Sequence, residues 1–280
     1  MTFRIGPRTS QIIAHAVLLL MTAVMVIVLF FIIFYVLKNG VGQISLEFLT
    51  GKTREMGKEG GILPSIVGTV FITLVATIIA TPLGVGSAVY LVEYTHTGPV
   101  RRLISFGADC LAGVPSIIFG LFGFIFFVIK MHLGWSILSG GLTLAVMILP
   151  TIIRTSEEAI KSVPHSYREI SYSLGGGKLD TILRVVLPTA LPGILTGIIL
   201  GIGRAVGETA AVIFTAGSSL GMPTSVFSST RTLAVHFYIL AREGISMDKA
   251  YGTAAVLIII ILTINFIAYR LMHRFIARYY

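Results

Sequence analysis

The sequence predicts an all-α integral membrane protein with six transmembrane helices. Two compositional facts and one pattern carry that expectation. Of 280 residues, 55% are hydrophobic and only 12% are charged, whereas an average soluble domain carries roughly 25% charged residues. The charges are also unevenly spread, leaving uncharged stretches such as residues 9–37. A bilayer core of about 30 Å needs roughly 20 mostly apolar residues per helix, and these runs meet that need. Intrinsic disorder, a coiled coil and an ordinary soluble fold are excluded. The 30 Gly and 10 Pro sit among long apolar runs, which fits neither collagen nor a linker. A single cysteine, Cys110, leaves no disulfide scaffold and no multi-cysteine metal site.

Taken in order, the uncharged segments give the spans. Residues 9–37 form the first, 60–92 the second, 110–129 the core of the third and 131–153 the fourth. The fifth runs from about 189 to 216 and is interrupted by Arg204 and Glu208; residues 250–269 form the sixth. The first span follows Arg4 and Arg8, as a signal peptide would. Its apolar run is too long for one and no small-x-small cleavage site follows, so it is expected to be a retained helix. Residues 1–59 then hold the first helix and an external loop, and 60–280 the main transmembrane domain.

Six spans place both termini on one side. With cytoplasmic termini, 12 Lys and Arg lie inside, 8 outside, and Arg204 within the membrane. Basic residues favour cytoplasmic loops, so this orientation is expected. The net charge of +9 then reflects topology and calls for no nucleic acid partner. Asp109, near the cytoplasmic end of the third span, is expected to cap that helix or pair with Arg101 or Arg102. Pro82 and Pro115 free backbone carbonyls within their helices and predict kinks, or dipole ends turned toward an anion. Outside, residues 217–249 contain an apolar stretch, Thr232 to Ala241, that reads as a surface helix packed on the outer face.

The cytoplasmic loop from Arg154 to about Pro188 is long and amphipathic. Ser166 and Glu169 have the spacing of a capping box, which would start a short helix. Leu174 followed by Gly175 is a helix stop, because glycine takes the left-handed conformation at little cost. A short helix, a glycine turn and a second helix ending near Pro188 are therefore expected. Such a loop either projects as a lever or is a solvated connector in which Glu169 only caps.

In the fifth span a charge near the bilayer centre costs about 2.5–3.5 kcal/mol on insertion scales. Glu208 lies four residues after Arg204, so both are expected on one helix face. Gly193, Gly197 and Gly201 form a small-residue stripe suited to close helix packing. Arg204 falls near that seam and is expected to face protein. A guanidinium fork suits phosphate oxygens, and Glu208 can hold the fork or accept the proton of a hydrogen phosphate. The pair reads as an anion path or as a structural ion pair.

Catalytic and nucleotide signatures do not appear. Gly51-Lys52-Thr53 and Gly177-Lys178 lack the upstream glycine of a phosphate-binding loop. The six His show no metal-ligand spacing, and Gly84-Val85-Gly86 lies inside a span. Energised transport would draw on a partner or an ion gradient.

The loop residues Glu169, Gly175, Val185, Leu187 and Pro188 resemble the coupling motif of ABC importer permeases, with Ile170 and Ser171 in place of two alanines. Gly203-Arg204-Ala205-Val206-Gly207-Glu208-Thr209-Ala210 and Gly113-Val114-Pro115-Ser116-Ile117-Ile118-Phe119-Gly120 resemble phosphate ABC importer permeases. Thr232-Leu233-Ala234-Val235-His236 and Ala241-Arg242-Glu243-Gly244 are similar to the PstA type. The resemblance covers about residues 60–280. It implies the type I ABC importer permease architecture in a prokaryotic plasma membrane, with no bond chemistry in this chain. It also implies a PstC-type second permease, two PstB-type cytoplasmic ATPase subunits carrying ATP and Mg, and an extracytoplasmic phosphate-binding protein. No cofactor or metal would sit on this chain. Arg204 and Glu208 would face the path; Ser166, Glu169, Leu174, Gly175, Leu187 and Pro188 would belong to the ATPase-coupling loop. A permease for sulfate or molybdate, a gradient-driven anion carrier and a membrane scaffold or sensor are the rival readings.

Overall fold

The computed structural model describes residues 7–95 and 98–279; Arg4 lies outside them. Among the described residues the regular elements are helices apart from one two-strand hairpin. Helix α1 spans Pro7–Gly40 and α2 spans Leu46–Thr50. Strands β1 (Thr53–Arg54) and β2 (Glu59–Gly60) pair antiparallel. Next come α3 (Leu63–Val89), α4 (Pro99–Gly113), α5 (Ser116–Gly123) and α6 (Ile137–Lys161). The loop helices α7 (His165–Ser173) and α8 (Lys178–Thr181) precede α9 (Leu187–Gly207) and α10 (Ala210–Thr215). Helices α11 (Leu233–Arg242) and α12 (Met247–Tyr279) complete the chain. Wider π turns extend α3 through Tyr90–Tyr94 and α5 through Phe124–Lys130, and Ile182–Val186 joins α8 to α9.

Five helices are long and apolar enough to cross a membrane, and the α4–α5 pair makes a sixth if it is one span. The expected third span is bent by 105° between α4 and α5. Pro115 has no N–H to continue the ladder, and the residue before a proline is driven to extended backbone. Val114 adopts that conformation, with φ −75° and ψ 129°. The fourth span starts and ends later than its charge-free run, because α6 continues through Arg154, Glu157 and Glu158 to Lys161. Asp109 pairs with Arg154, at 2.6 Å, rather than with Arg101 or Arg102. The bend turns α4 toward α6 and brings Asp109 there. Arg154 also bonds the Ser105 carbonyl at 3.0 Å and Glu157 at 3.0 Å.

The core lies where α6 packs between α3 and α9. Leu144, Ile148 and Ile152 of α6 are fully buried there. The predicted glycine stripe is the α6–α9 seam: Gly193 faces Ala159, Gly197 faces Thr155, and Gly201 faces Ile148 and Ile152. A side chain at Gly197 would collide with the Thr155 hydroxyl. Gly141 and Gly84 play the same part between α6 and α3, against Val75 and Ile152.

At the end of the bundle opposite α7 and α8, α11 is tied onto α3. Thr232 caps α11 by accepting from Val235, and the Leu233 amide donates to Thr69 of α3 at 2.9 Å. Leu233, Val235, His236 and Leu240 of α11 are buried while Phe237 and Tyr238 are exposed, so the expected outer helix is packed closely against the bundle. Arg231, also buried, donates to the carbonyls of Ser218 (3.1 Å) and Met56 (3.3 Å) and so holds the hairpin down. Burial, and secondarily the Arg231 charge, push the His236 imidazole from its usual 6.5 down to about 4.

Two outcomes follow from this packing. Gly197→Ile is expected to destabilise the α6–α9 seam by about 2 kcal/mol or more, seen as a lower melting temperature in detergent; an unchanged melting temperature would contradict the seam. Unfolded His236 takes a proton more readily than folded His236, so acid favours the unfolded chain. Stability is expected to be intact above pH 6.5 and to fall toward pH 4, by roughly 3 kcal/mol at full protonation. Melting temperatures measured from pH 7.5 to 5 should show a shallower decline in His236→Gln.

Candidate functional site

Arg204 and Glu208 do not share one helix face. Helix α9 stops at Gly207, and Glu208 follows in extended backbone with φ −72° and ψ 133°. Gly203 and Gly207 weaken the last turn, since glycine is the poorest helix former after proline. Arg204 therefore lies in the final turn of α9 rather than in mid-span. The chain restarts as α10 at Ala210, so the expected fifth span is two helices with a charged break.

That break lies against the α4–α5 elbow. The Ser116 hydroxyl and the Thr209 backbone amide stand near the Glu208 carboxylate, and the Arg204 charge acts on it. No ion pair within 4 Å joins Arg204 to Glu208 among the described residues, and both are half-buried. Helix α5 can approach α10 so closely because of its glycines. A side chain on Gly120 would meet the Ala211 backbone at 2.9 Å, and one on Gly123 would strike Thr143 and Thr215. Ser116 belongs to the Gly113–Gly120 motif of the resemblance, which assigned it no role at the site. The signal was present in Pro115, which ends one helix and starts another.

The arrangement offers one cation, one carboxylate and one hydroxyl, at two helix breaks facing each other. A guanidinium with unused donors can bind an anion, and a carboxylate beside it accepts only from a protonated group. Among the described residues no three His, Cys, Asp or Glu are grouped to hold a metal ion.

A second candidate surface is the α7–α8 loop. Gly175 has φ +84° and ends α7 as expected, with Leu174 at the cap and 84% exposed. Ser166 and Glu169 do not form a capping box. Pro164 presets the backbone and α7 begins one residue earlier, which leaves Ser166 inside the first turn and exposed. Glu169 faces His165 Nδ1 at 3.3 Å. The second limb does not end near Pro188 either. It passes through the Ile182–Val186 π turn directly into α9, where a proline in the first turn has no intrahelical N–H to lose. Leu187 packs on the core cluster of Val163, Val186 and Ala190, while Pro188 is exposed. A groove of about 540 Å³ between the limbs is lined by Tyr167, Ile170, Leu174, Asp180 and Arg184, among others.

Comparison with known proteins gives the family and the fold. The sequence model of the binding-protein-dependent transport system inner membrane component matches residues 80–279. The chain belongs to this family. It is a permease subunit of an ABC importer, not an enzyme. Among its relatives, the probable ABC transporter permease YqgI of Bacillus subtilis is 35% identical, with 84% of this chain and 85% of that one aligned. The phosphate transport system permease PstA 1 of Mycobacterium tuberculosis is 36% identical over 78% of this chain and 72% of that one. PstA of Pasteurella multocida is 31% identical over 85% of each. The permease also has the fold of solved importers. A chain of the inward-facing MetNI methionine transporter superposes with TM-score 0.64 at 19% identity, covering 76% of this chain and 95% of that one. A chain of a bacterial alginate transporter gives 0.65 at 15% identity, covering 93% and 95%.

Proposed function

We propose that this permease forms the translocation path of an ATP-driven importer of inorganic phosphate. The observation that carries the reading is the charged break. Arg204 sits in a membrane span with its donors unengaged by ion pairs, near the Glu208 carboxylate and the Ser116 hydroxyl. A cation within a membrane span is costly unless an anion or water meets it. Hydrogen phosphate satisfies both members, giving acceptor oxygens to Arg204 and a proton to Glu208. Sulfate carries no proton at neutral pH and would leave the carboxylate facing an anion. Relatives named as phosphate transport permeases support the same substrate.

In this reading the chain pairs with a related permease of the PstC type. Two PstB-type ATPase subunits hold ATP and Mg on the cytoplasmic side, and a binding protein delivers phosphate outside. The α7–α8 loop is the docking surface for the ATPase, since Ile170, Leu174, Leu179 and Leu183 expose apolar side chains on it. Residues 154–188 lie inside the cytoplasm with both termini, and residues 60–280 form the permease domain.

Arg204→Gln is expected to abolish phosphate uptake, at least 100-fold, while the assembled complex still purifies. Radiolabelled uptake in cells lacking other phosphate importers reads this directly. Normal uptake by the variant, or full competition of wild-type uptake by sulfate, would contradict the proposal.

A further inference from the structure

The π turn that ends α3 grips both limbs of the α7–α8 loop. Its two neighbouring residues, Glu93 and Tyr94, hold one limb each. Arg168 of α7 donates from Nε and Nη2 to Glu93 Oε1, at 3.1 and 2.7 Å. Lys178, at the start of α8, stands over the Tyr94 ring at 4.5 Å from its centroid. The limbs are also tied to each other, because the Ser171 and Thr181 hydroxyls are 2.8 Å apart.

Arg168 is out of character with its helix. Ser166, Tyr167, Glu169 and Ile170 around it are exposed, whereas Arg168 is 8% and Glu93 7% exposed. The same guanidinium reaches the end of α6, donating to the carbonyls of Val163 (2.9 Å) and Ile160 (3.1 Å). One side chain thus fastens α7 to α3 and to α6 at once. A buried ion pair adds little stability beyond what apolar residues of the same volume would provide, because desolvation offsets the attraction. What it adds is direction, through a planar fork with fixed donor angles.

We infer that the Glu93–Tyr94 turn is the receiver through which movement of the loop enters the membrane bundle, with Arg168 as the positioning residue that joins them. This rests on the proposal that the loop docks an ATPase. From the receiver a series of contacts runs on to the charged break. Helix α3 packs along α6; Arg154 of α6 clamps Asp109 and the Ser105 carbonyl of α4. Helix α4 ends at the elbow, beyond which α5 packs on α10 next to Glu208. A push on α7 is therefore delivered to the charged break.

The test uses the complete transporter in proteoliposomes. ATPase co-purification, ATP hydrolysis and phosphate uptake are measured together. Glu93→Gln keeps the shape and removes the charge; Arg168→Lys keeps the charge and removes the fork; Tyr94→Leu loosens the exposed limb without touching the buried pair. Glu93→Gln is expected to co-purify with the ATPase and hydrolyse ATP within about twofold of wild type, with uptake per ATP at least tenfold lower. Arg168→Lys should fall between, and Tyr94→Leu should lose severalfold. Uptake per ATP at the wild-type level in Glu93→Gln and Tyr94→Leu overturns the inference. So does a parallel loss of co-purification, hydrolysis and uptake in all three, which would mark the pair as a local support. Gly175→Val serves as the separate arm: it strains the loop turn and should lose the ATPase. Wild-type co-purification there would sink the docking proposal itself, whatever Glu93→Gln does.

Discussion

An apolar bilayer offers no partner to a backbone N–H or C=O, so a spanning chain can leave its helix only where protein or a polar path receives the freed groups. That constraint organises this permease. Its two interruptions within apolar helices, at Val114–Pro115 and at Glu208–Thr209, lie against each other. Each wall protects the other's break, and Gly120 and Gly123 let α5 and α10 come close enough to do so. Arg204 and Glu208 sit at this junction because a charge anywhere on the lipid face would cost more. The charged break and the bent helix are one feature seen from two stretches of chain.

Close helix packing sets the rest of the frame. Helix α6 is the central post, and glycines on α9 and α3 remove the side chains that would hold them apart. At its lower end α6 carries a set of charges, with Glu157 2% exposed and reached by Arg154 and Lys161. Glu158 is also bonded to Lys161. Arg154 and Glu157 of α6 also pair with Asp109 and Arg101 of α4, and Arg168 of α7 donates to the Ile160 carbonyl of α6, so α4 and the loop are held to the same post.

Much of this was legible in sequence, for physical reasons that differ by residue. Arg204 and Glu208 stood out because charge within an apolar run is expensive. Gly175 stood out because a glycine after a leucine ends a helix, and its φ of +84° agrees. The stripe Gly193, Gly197 and Gly201 marked the face of α9 that meets α6. Other features depended on neighbours that local pattern does not reveal. The four-residue spacing of Arg204 and Glu208 implied one face only if the helix continued, and Gly207 ends it. Pro115 signalled a kink, but the 105° turn requires α6 and Arg154 to hold α4 aside. Ser166 and Glu169 had the spacing of a cap, yet Pro164 starts the helix first. Arg168 looked like one more loop charge. Its partner Glu93, at the end of the second uncharged run, is 75 residues away in sequence.

The central claim is that this chain moves phosphate only as part of an ATP-driven assembly. Radiolabelled phosphate uptake into proteoliposomes tests it most directly, with the chain reconstituted alone and with its permease, ATPase and binding-protein partners. The account predicts uptake only in the full assembly supplied with ATP and Mg. Uptake by this chain alone, driven by an ion gradient, would contradict it.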